Sequence, residues 1–100
     1  MSDAILVLGA GGFVGRRLSE RLAHDGANVI AATRAPTTFE QPKIRNVVAP
    51  WDSHAHFAQV VPQCRAIVHA ASSSTPGSTA AQPQLEGNLR TTLALIEALQ

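Results

Sequence analysis

The chain has 100 residues, of which 45% are hydrophobic and 15% charged, with a formal net charge of +1. That length fits one compact domain over residues 1–100. The near-zero charge excludes the broad basic field of a nucleic-acid binder and the acidic tail of a disordered protein. Cys64 is the lone cysteine, so no intramolecular disulfide can form, and a reduced, cytoplasmic setting is expected. The N-terminal MSDAILVLG has no basic n-region and only a short apolar run, so it reads as neither a signal peptide nor a membrane span.

In chain order, Ala4 to Leu8 is short, apolar and stopped by glycine, which predicts a buried strand. From Phe13 to about Asp25, Val14, Leu18 and Leu22 recur every four residues among Arg16, Arg17, Glu20 and Arg21. That spacing predicts an amphipathic helix, with Gly26 placed to cap its C-terminus. Asn28 to Thr33 reads as a second strand and Ala35 to Arg45, with two prolines, as a loop. Asn46 to Ala49 reads as a short third strand. Ser53 to Val61 is a weak helix that Ser53 can cap and Pro62 closes. Ala66 to Ala71 is an apolar fourth strand, expected to be buried, and Ser72 to Pro83 a polar loop. From about Gln84 to Gln100, Leu89, Leu93, Leu95, Ile96 and Leu99 give a helix with a wide apolar side. Near-continuous apolar strands alternating with helices predict an α/β fold, a doubly wound parallel sheet of Rossmann type. Right-handed crossovers then order its first four strands 3-2-1-4.

The stretch LVLGAGGFVG carries four glycines directly after the first strand. A phosphate needs backbone N–H groups aimed at it and a helix N-terminus nearby. A Cβ would hold a diphosphate off the chain, and glycine removes that obstacle. Gly9, Gly12 and Gly15 are spaced G-x-x-G-x-x-G, with Gly11 as an extra. Gly9 is expected to make the turn, Gly12 to admit a diphosphate and Gly15 to let the helix pack on the sheet. The motif follows a strand and opens a helix inside a βαβ unit, the context that points to a dinucleotide. No G-x4-G-K-[ST] occurs, so a Walker A loop is excluded. The end of the second strand should then read the adenosine ribose, with an acidic residue for NAD or an arginine for NADP. Thr33 stands at the acidic position and Arg34 follows. A guanidinium can pair bidentately with a 2′-phosphate, so NADP is expected over NAD, unless Arg34 is simply a surface arginine.

These stretches together resemble the extended short-chain dehydrogenases/reductases, the NAD-dependent epimerase/dehydratase family, from Ile5 to the end. VLGAGGFVG resembles its glycine motif and ATR its NADP-type second strand. AIVHAAS, residues 66–72, resembles its fourth strand, and NLRTTLALIEAL, residues 88–99, its N-x-x-x-T-x-x-x-x-E-A helix. The resemblance implies that the backbone of Phe13 and Val14 lies under the diphosphate. It implies that Ala70, Ala71 and Ser72 line the adenosine and nicotinamide-ribose side. Asn88 would hold backbone near the cofactor, a role compatible with capping its helix. Where the family has an Asp and an aliphatic residue against adenine, this chain has Pro50 and Trp51. Either Asp52 substitutes, or Trp51 packs on the adenine, or Trp51 is core packing.

The family's catalysis uses Tyr-x-x-x-Lys with an upstream Ser or Thr, but the sequence contains no tyrosine and its single lysine is Lys43. In the family that motif lies beyond the position of Gln100, so these residues resemble the first half of such a protein and hold no catalytic group. A fourth strand with an unpaired edge and a last helix short of packing are expected for such a part. The Ser/Thr-rich run SSSTPGSTAAQP follows the fourth strand, where ligands of doubly wound sheets bind. It fits hydrogen bonds to a sugar or a diphosphate, or a plain polar loop. His54 and His56 do not share a helix face and no third ligand is near, so no metal site is expected. His69 reads as a packed core histidine and Cys64 as an inert thiol.

The implied function is the NADP(H)-binding portion of an oxidoreductase, epimerase or dehydratase acting on a nucleotide sugar or a similar carbonyl or alcohol. The implied partners are a small-molecule substrate and a second copy in a homodimer, with no nucleic acid and no membrane. A non-catalytic NAD(P)H-sensing regulator of the same fold is the alternative from another class. A reductase or isomerase of a non-sugar substrate is the third reading.

Overall fold

The computed structural model describes residues 3–70 and 81–99. Strands β1 (Ala4–Leu8) and β2 (Val29–Thr33) are buried at every position. Their continuous apolar character follows from cover on both faces. Ala4, Leu6 and Leu8 of β1, with Ile30 and Ala32 of β2, join one core cluster with Trp51, Phe57, Val60, Ala94 and Leu95. Ile5 and Val7, with Val29 and Ala31, join a second cluster with Ala10 and Ala23. The alternation of the pleat thus sends successive residues of one strand to two different helical layers. Strands β3 (Ile44–Val48) and β4 (Cys64–His69) complete a four-stranded parallel sheet of order β3-β2-β1-β4, as expected. Helix α1 (Phe13–His24) covers one face; α2 (His54–Ala58) and α3 (Ala81–Ala98) pack together on the other.

The buried stripe of α1 differs from the predicted Val14–Leu18–Leu22 face. It is Gly15, Ser19 and Ala23, while Val14 is 66% exposed. Small residues bring the helix close to the sheet, so the leucines lie at the margins of the contact. Ser19 is fully buried, and its hydroxyl donates to the Gly15 carbonyl oxygen at 2.8 Å, which satisfies it inside the helix. The helix ends where Gly26 predicts. The Gly26 N–H reaches the Ala23 carbonyl and the Ala27 N–H the Leu22 carbonyl, both at 3.0 Å, which is the Schellman pattern.

Several boundaries move. β3 begins at Ile44, two residues before the expected Asn46, because Ile44 and Arg45 pair with Val29 and Ile30. β4 begins at Cys64, and a register shift between the Ala4 and Ile5 pairs takes up one extra residue there. Ser53 caps α2 by accepting from the Ala55 N–H, but the helix stops at Ala58; a short 3-10 turn, Val61–Gln63, carries Pro62. α3 starts at Ala81, inside the expected loop; Pro83 falls in its first turn, where a missing N–H costs no helical bond. The rest of the predicted loop, 72–80, lies outside the described residues.

One expectation about burial is corrected, that β4 and its His69 lie in the core, whereas the unpaired edge of the fourth strand and the incomplete packing of the last helix are found among the described residues. Among the described residues β4 pairs only with β1, and it is exposed or half-buried along its length. His69 is therefore an exposed residue that hydrogen-bonds the Thr92 hydroxyl at 3.1 Å, and no core histidine. As expected, α3 is short of packing among its described side chains: Thr91, Ala94 and Leu95 are buried, whereas Leu93, Ile96 and Leu99 are 50%, 46% and 55% exposed. No described helix is long and apolar enough to cross a membrane.

Candidate functional site

The glycine turn is built by close approach. Gly9 has φ +77°, a left-handed conformation that a side chain would strain. A Cβ on Gly15 would collide with the Gly9 carbonyl oxygen and stand 2.7 Å from the Gly9 carbonyl carbon and 3.0 Å from the Ala10 Cα. The first turn of α1 therefore rests directly on the turn that leaves β1. Gly12 is the N-cap and offers no side-chain cap, so the first-turn N–H groups of α1 have no side-chain partner there. No acidic residue stands in that turn either. Both features suit an anion at the helix N-terminus.

A cavity of about 300 Å³ opens at the carboxyl ends of β1 and β2. It brings together Gly9, Gly11 and Gly12 from the turn, Thr33 and Arg34 from the end of β2, and Trp51 from the segment after β3. These lie far apart in sequence, and the parallel sheet places them at one edge. Phe13 and Val14 stand beside the cavity in the first turn of α1, with side chains 75% and 66% exposed, and do not line it. Gly15 supports the turn from below. Ala70 continues the β1–β4 ladder, its N–H donating to the Leu8 carbonyl at 3.0 Å, and also lies outside the cavity wall. Ala71 and Ser72 lie outside the described residues, as does the side chain of Asn88.

Thr33 shapes the wall without offering its hydroxyl. Its Oγ1 donates to the Ala35 carbonyl at 2.7 Å and accepts from Asn46 Nδ2 at 2.8 Å. Asn46 also donates to the Ala31 carbonyl and accepts from the Thr37 N–H, so it ties the segment after β2 to the sheet. Trp51 does two jobs at once. It is 3% exposed, within the core cluster, and still lines the cavity. Its Nε1 donates to the Thr33 carbonyl at 3.0 Å, and its ring tilts against Phe57 at 5.0 Å between centroids. Its backbone has φ +56°. Asp52 is half-exposed, 3.6 Å from His56 Nδ1, and lines a smaller neighbouring cavity with Arg34, Pro50 and Arg90.

The sequence reading missed Thr91, which lines the main cavity from α3. Its spacing from Leu95 marks the core side of the helix, but the motif spacing from Asn88 singles out Thr92 instead. Among the described residues no three His, Cys, Asp or Glu side chains gather as metal ligands. Cys64 is half-buried and its Sγ donates to the Val60 carbonyl at 3.0 Å. Burial pushes its thiol pKa up, and nearby Arg45 offsets only part of that. Cys64 is expected to alkylate more slowly than an unhindered thiol, with a rate midpoint above the ordinary thiol pKa; a pH series with iodoacetamide measures it. A rate equal to that of free cysteine would refute the assignment.

The family model described as NAD dependent epimerase/dehydratase family matches residues 5–100. No curated protein matches the chain by sequence. Among solved structures, uronate dehydrogenase from Agrobacterium tumefaciens, a mutant complexed with NAD, is 28% identical with a TM-score of 0.78. The alignment covers 98% of this chain and 36% of that one. UDP-N-acetylglucosamine 4-epimerase from Bacillus cereus is 26% identical, with a TM-score of 0.77, over 97% of this chain and 31% of that one. A UDP-glucose 4-epimerase shares the fold at 22% identity and a TM-score of 0.80, over 97% of this chain and 32% of that one. The chain thus spans about a third of the length of these structures. With its glycine turn, its sheet order and a match over nearly its whole length, the chain belongs to the NAD-dependent epimerase/dehydratase family.

Proposed function

We propose that residues 1–100 form the dinucleotide-binding part of an oxidoreductase, epimerase or dehydratase, and that they take NADP in preference to NAD. The observation that carries this is the cavity where the glycine turn meets Arg34 and Trp51. The residues fit the group. The α1 N-terminus, closely seated by Gly15, suits the diphosphate. Trp51 and the apolar ends of β1 and β2 suit the adenosine, and the volume of about 300 Å³ is right for part of a dinucleotide. When bound, the cofactor supplies hydride transfer; these residues bind and orient it.

The preference rests on Arg34. Among the described residues no hydrogen bond or ion pair engages its guanidinium, which borders both the main cavity and its neighbour. A 2′-phosphate there would gain charge-assisted hydrogen bonds. Arg34→Glu is expected to weaken NADPH binding by about 10- to 100-fold while leaving NADH binding little changed. Fluorescence titration of both cofactors measures the ratio. An unchanged NADPH-to-NADH ratio would remove the NADP assignment.

The proposed substrate is a nucleotide sugar or a similar small carbonyl or alcohol. The Ser/Thr-rich run after β4 supports it, as do the nucleotide-sugar epimerases among the structural neighbours. The same reading gives a cytoplasmic homodimer. No tyrosine occurs in these 100 residues, so the family's acid/base pair is not supplied by them.

A further inference from the structure

Asn46 stands in the middle of β3, although asparagine is depleted in strands. It pairs with Ala31 in the ladder, and its side-chain amide makes three hydrogen bonds. Nδ2 donates to the Ala31 carbonyl at 3.0 Å and to Thr33 Oγ1 at 2.8 Å, while Oδ1 accepts from the Thr37 N–H at 3.0 Å. Thr33 and Thr37 are joined a second time. Both hydroxyls donate to the Ala35 carbonyl, at 2.7 Å and 2.9 Å. The hydrogen bonds therefore form a closed ring, from Asn46 to Thr33 to Ala35 to Thr37 and back. Arg34 lies within the segment that the ring closes, so the backbone on both sides of it is held. Its guanidinium is free among the described residues and borders both cavities.

An untied segment would let Arg34 take many backbone directions, and ordering it on binding would cost affinity. A bidentate guanidinium contact depends on direction as well as charge. An amide suits the closing position because it donates twice and accepts at the same time, which neither an apolar side chain nor a carboxylate does. We propose that Asn46 is a positioning residue for cofactor choice: it closes the ring that fixes the backbone of Arg34 and so presents the guanidinium to a 2′-phosphate. Asn46 itself is not part of the cavity wall and acts through Arg34. The inference rests on the proposed NADP preference and names the residue behind it.

The test reads the affinity ratio of 2′,5′-ADP to 5′-AMP, two probes that differ only in the 2′-phosphate. Calorimetric titration gives it for the parent, Asn46→Ala, Arg34→Ala and the double variant, and each Tm is recorded. Asn46→Ala is expected to lower the ratio about three- to tenfold through weaker 2′,5′-ADP binding, with 5′-AMP little changed. In the Arg34→Ala background the same substitution is expected to leave the ratio unaltered, because the two residues act as a unit. A merely structural asparagine would lower Tm and both affinities together and keep the ratio of the parent. Thr37→Ala opens the ring at a second point, on an exposed hydrogen bond, and decides the matter if Asn46→Ala does not fold. It is expected to lower the ratio about twofold, again only when Arg34 is present. The parental ratio in folded Asn46→Ala, or in Thr37→Ala where Asn46→Ala does not fold, overturns the positioning role alone. An equal fall with and without Arg34 overturns it too. A parent protein that does not prefer 2′,5′-ADP overturns the NADP reading with it, and one that binds neither probe overturns the dinucleotide function as well.

Discussion

Gly15→Ala is expected to destabilise the protein by at least about 3 kcal/mol, the upper end for overpacking a close contact. The methyl would meet backbone on the far side: the Gly9 carbonyl group and the Ala10 Cα. None of these can rotate away as a flexible side chain would. Relief requires that α1 lift off the sheet, which would disturb the Gly15–Ser19–Ala23 stripe it buries. For a domain of this size each kcal/mol is worth about 4–8 °C, so Tm should fall by about 12 °C or more in a thermal melt. Gly11→Ala is the matched control. A Cβ there meets side-chain atoms alone, the Thr33 methyl at 3.6 Å, the Thr37 hydroxyl at 3.7 Å and the Thr33 Cβ at 4.0 Å, all ordinary contact distances. Its Tm should stay within a few degrees of the parent, with any shift upward from the stiffer unfolded chain. Equal melts for both variants would mean that α1 does not seat on the turn.

The same contact links stability to function. With no Cβ at position 15, the first turn of α1 lies at the carboxyl end of β1, beside the cavity. A displaced helix would carry its N–H groups away from the place where a diphosphate is proposed to lie. Gly15→Ala should therefore lose dinucleotide affinity together with stability.

The glycine turn and the strand order were legible because they depend on backbone. Gly9, Gly12 and Gly15 report a turn and a close approach by their spacing alone, and a parallel sheet with right-handed crossovers leaves few orders open. That Arg34 follows directly on β2 was legible in the same way, from the end of the second apolar run. What depends on side-chain packing was not. Val14, Leu18 and Leu22 look like the buried face of α1, yet contact is made by the small residues one step along. His69 looks buried because its strand is apolar, but among the described residues β4 has one neighbour and its histidine faces Thr92. Ile44 and Arg45 pair as strand although nothing in their composition separates them from the preceding loop. The motif spacing from Asn88 points to Thr92 and passes over its neighbour Thr91; only the three-dimensional arrangement shows Thr92 with a partner and Thr91 buried without one.

Trp51→Ala should cost about 3–5 kcal/mol, the range for truncating a buried aromatic. The ring packs in the core cluster against Phe57, and its N–H anchors the Thr33 carbonyl. Loss of that hydrogen bond alone is the smaller part, because the Thr33 carbonyl also accepts from the Ala49 N–H at 3.0 Å. Trp51→Phe should therefore cost only about 1 kcal/mol beyond its change in volume. The backbone adds a sharper test. At φ +56° any side chain carries left-handed strain, and alanine keeps it while glycine relieves it. Trp51→Gly should thus be less damaging than Trp51→Ala by about 1 kcal/mol, the reverse of the usual order. Urea denaturation followed by circular dichroism measures all three, since the variants remove the chain's single tryptophan and with it the fluorescence signal. Should Trp51→Gly prove the less stable of the two, the left-handed conformation is not what the folded protein holds. If the expected order is found, the core contacts of Trp51 outweigh a strained backbone, and that strain fixes a wall of the cavity where the base is proposed to bind.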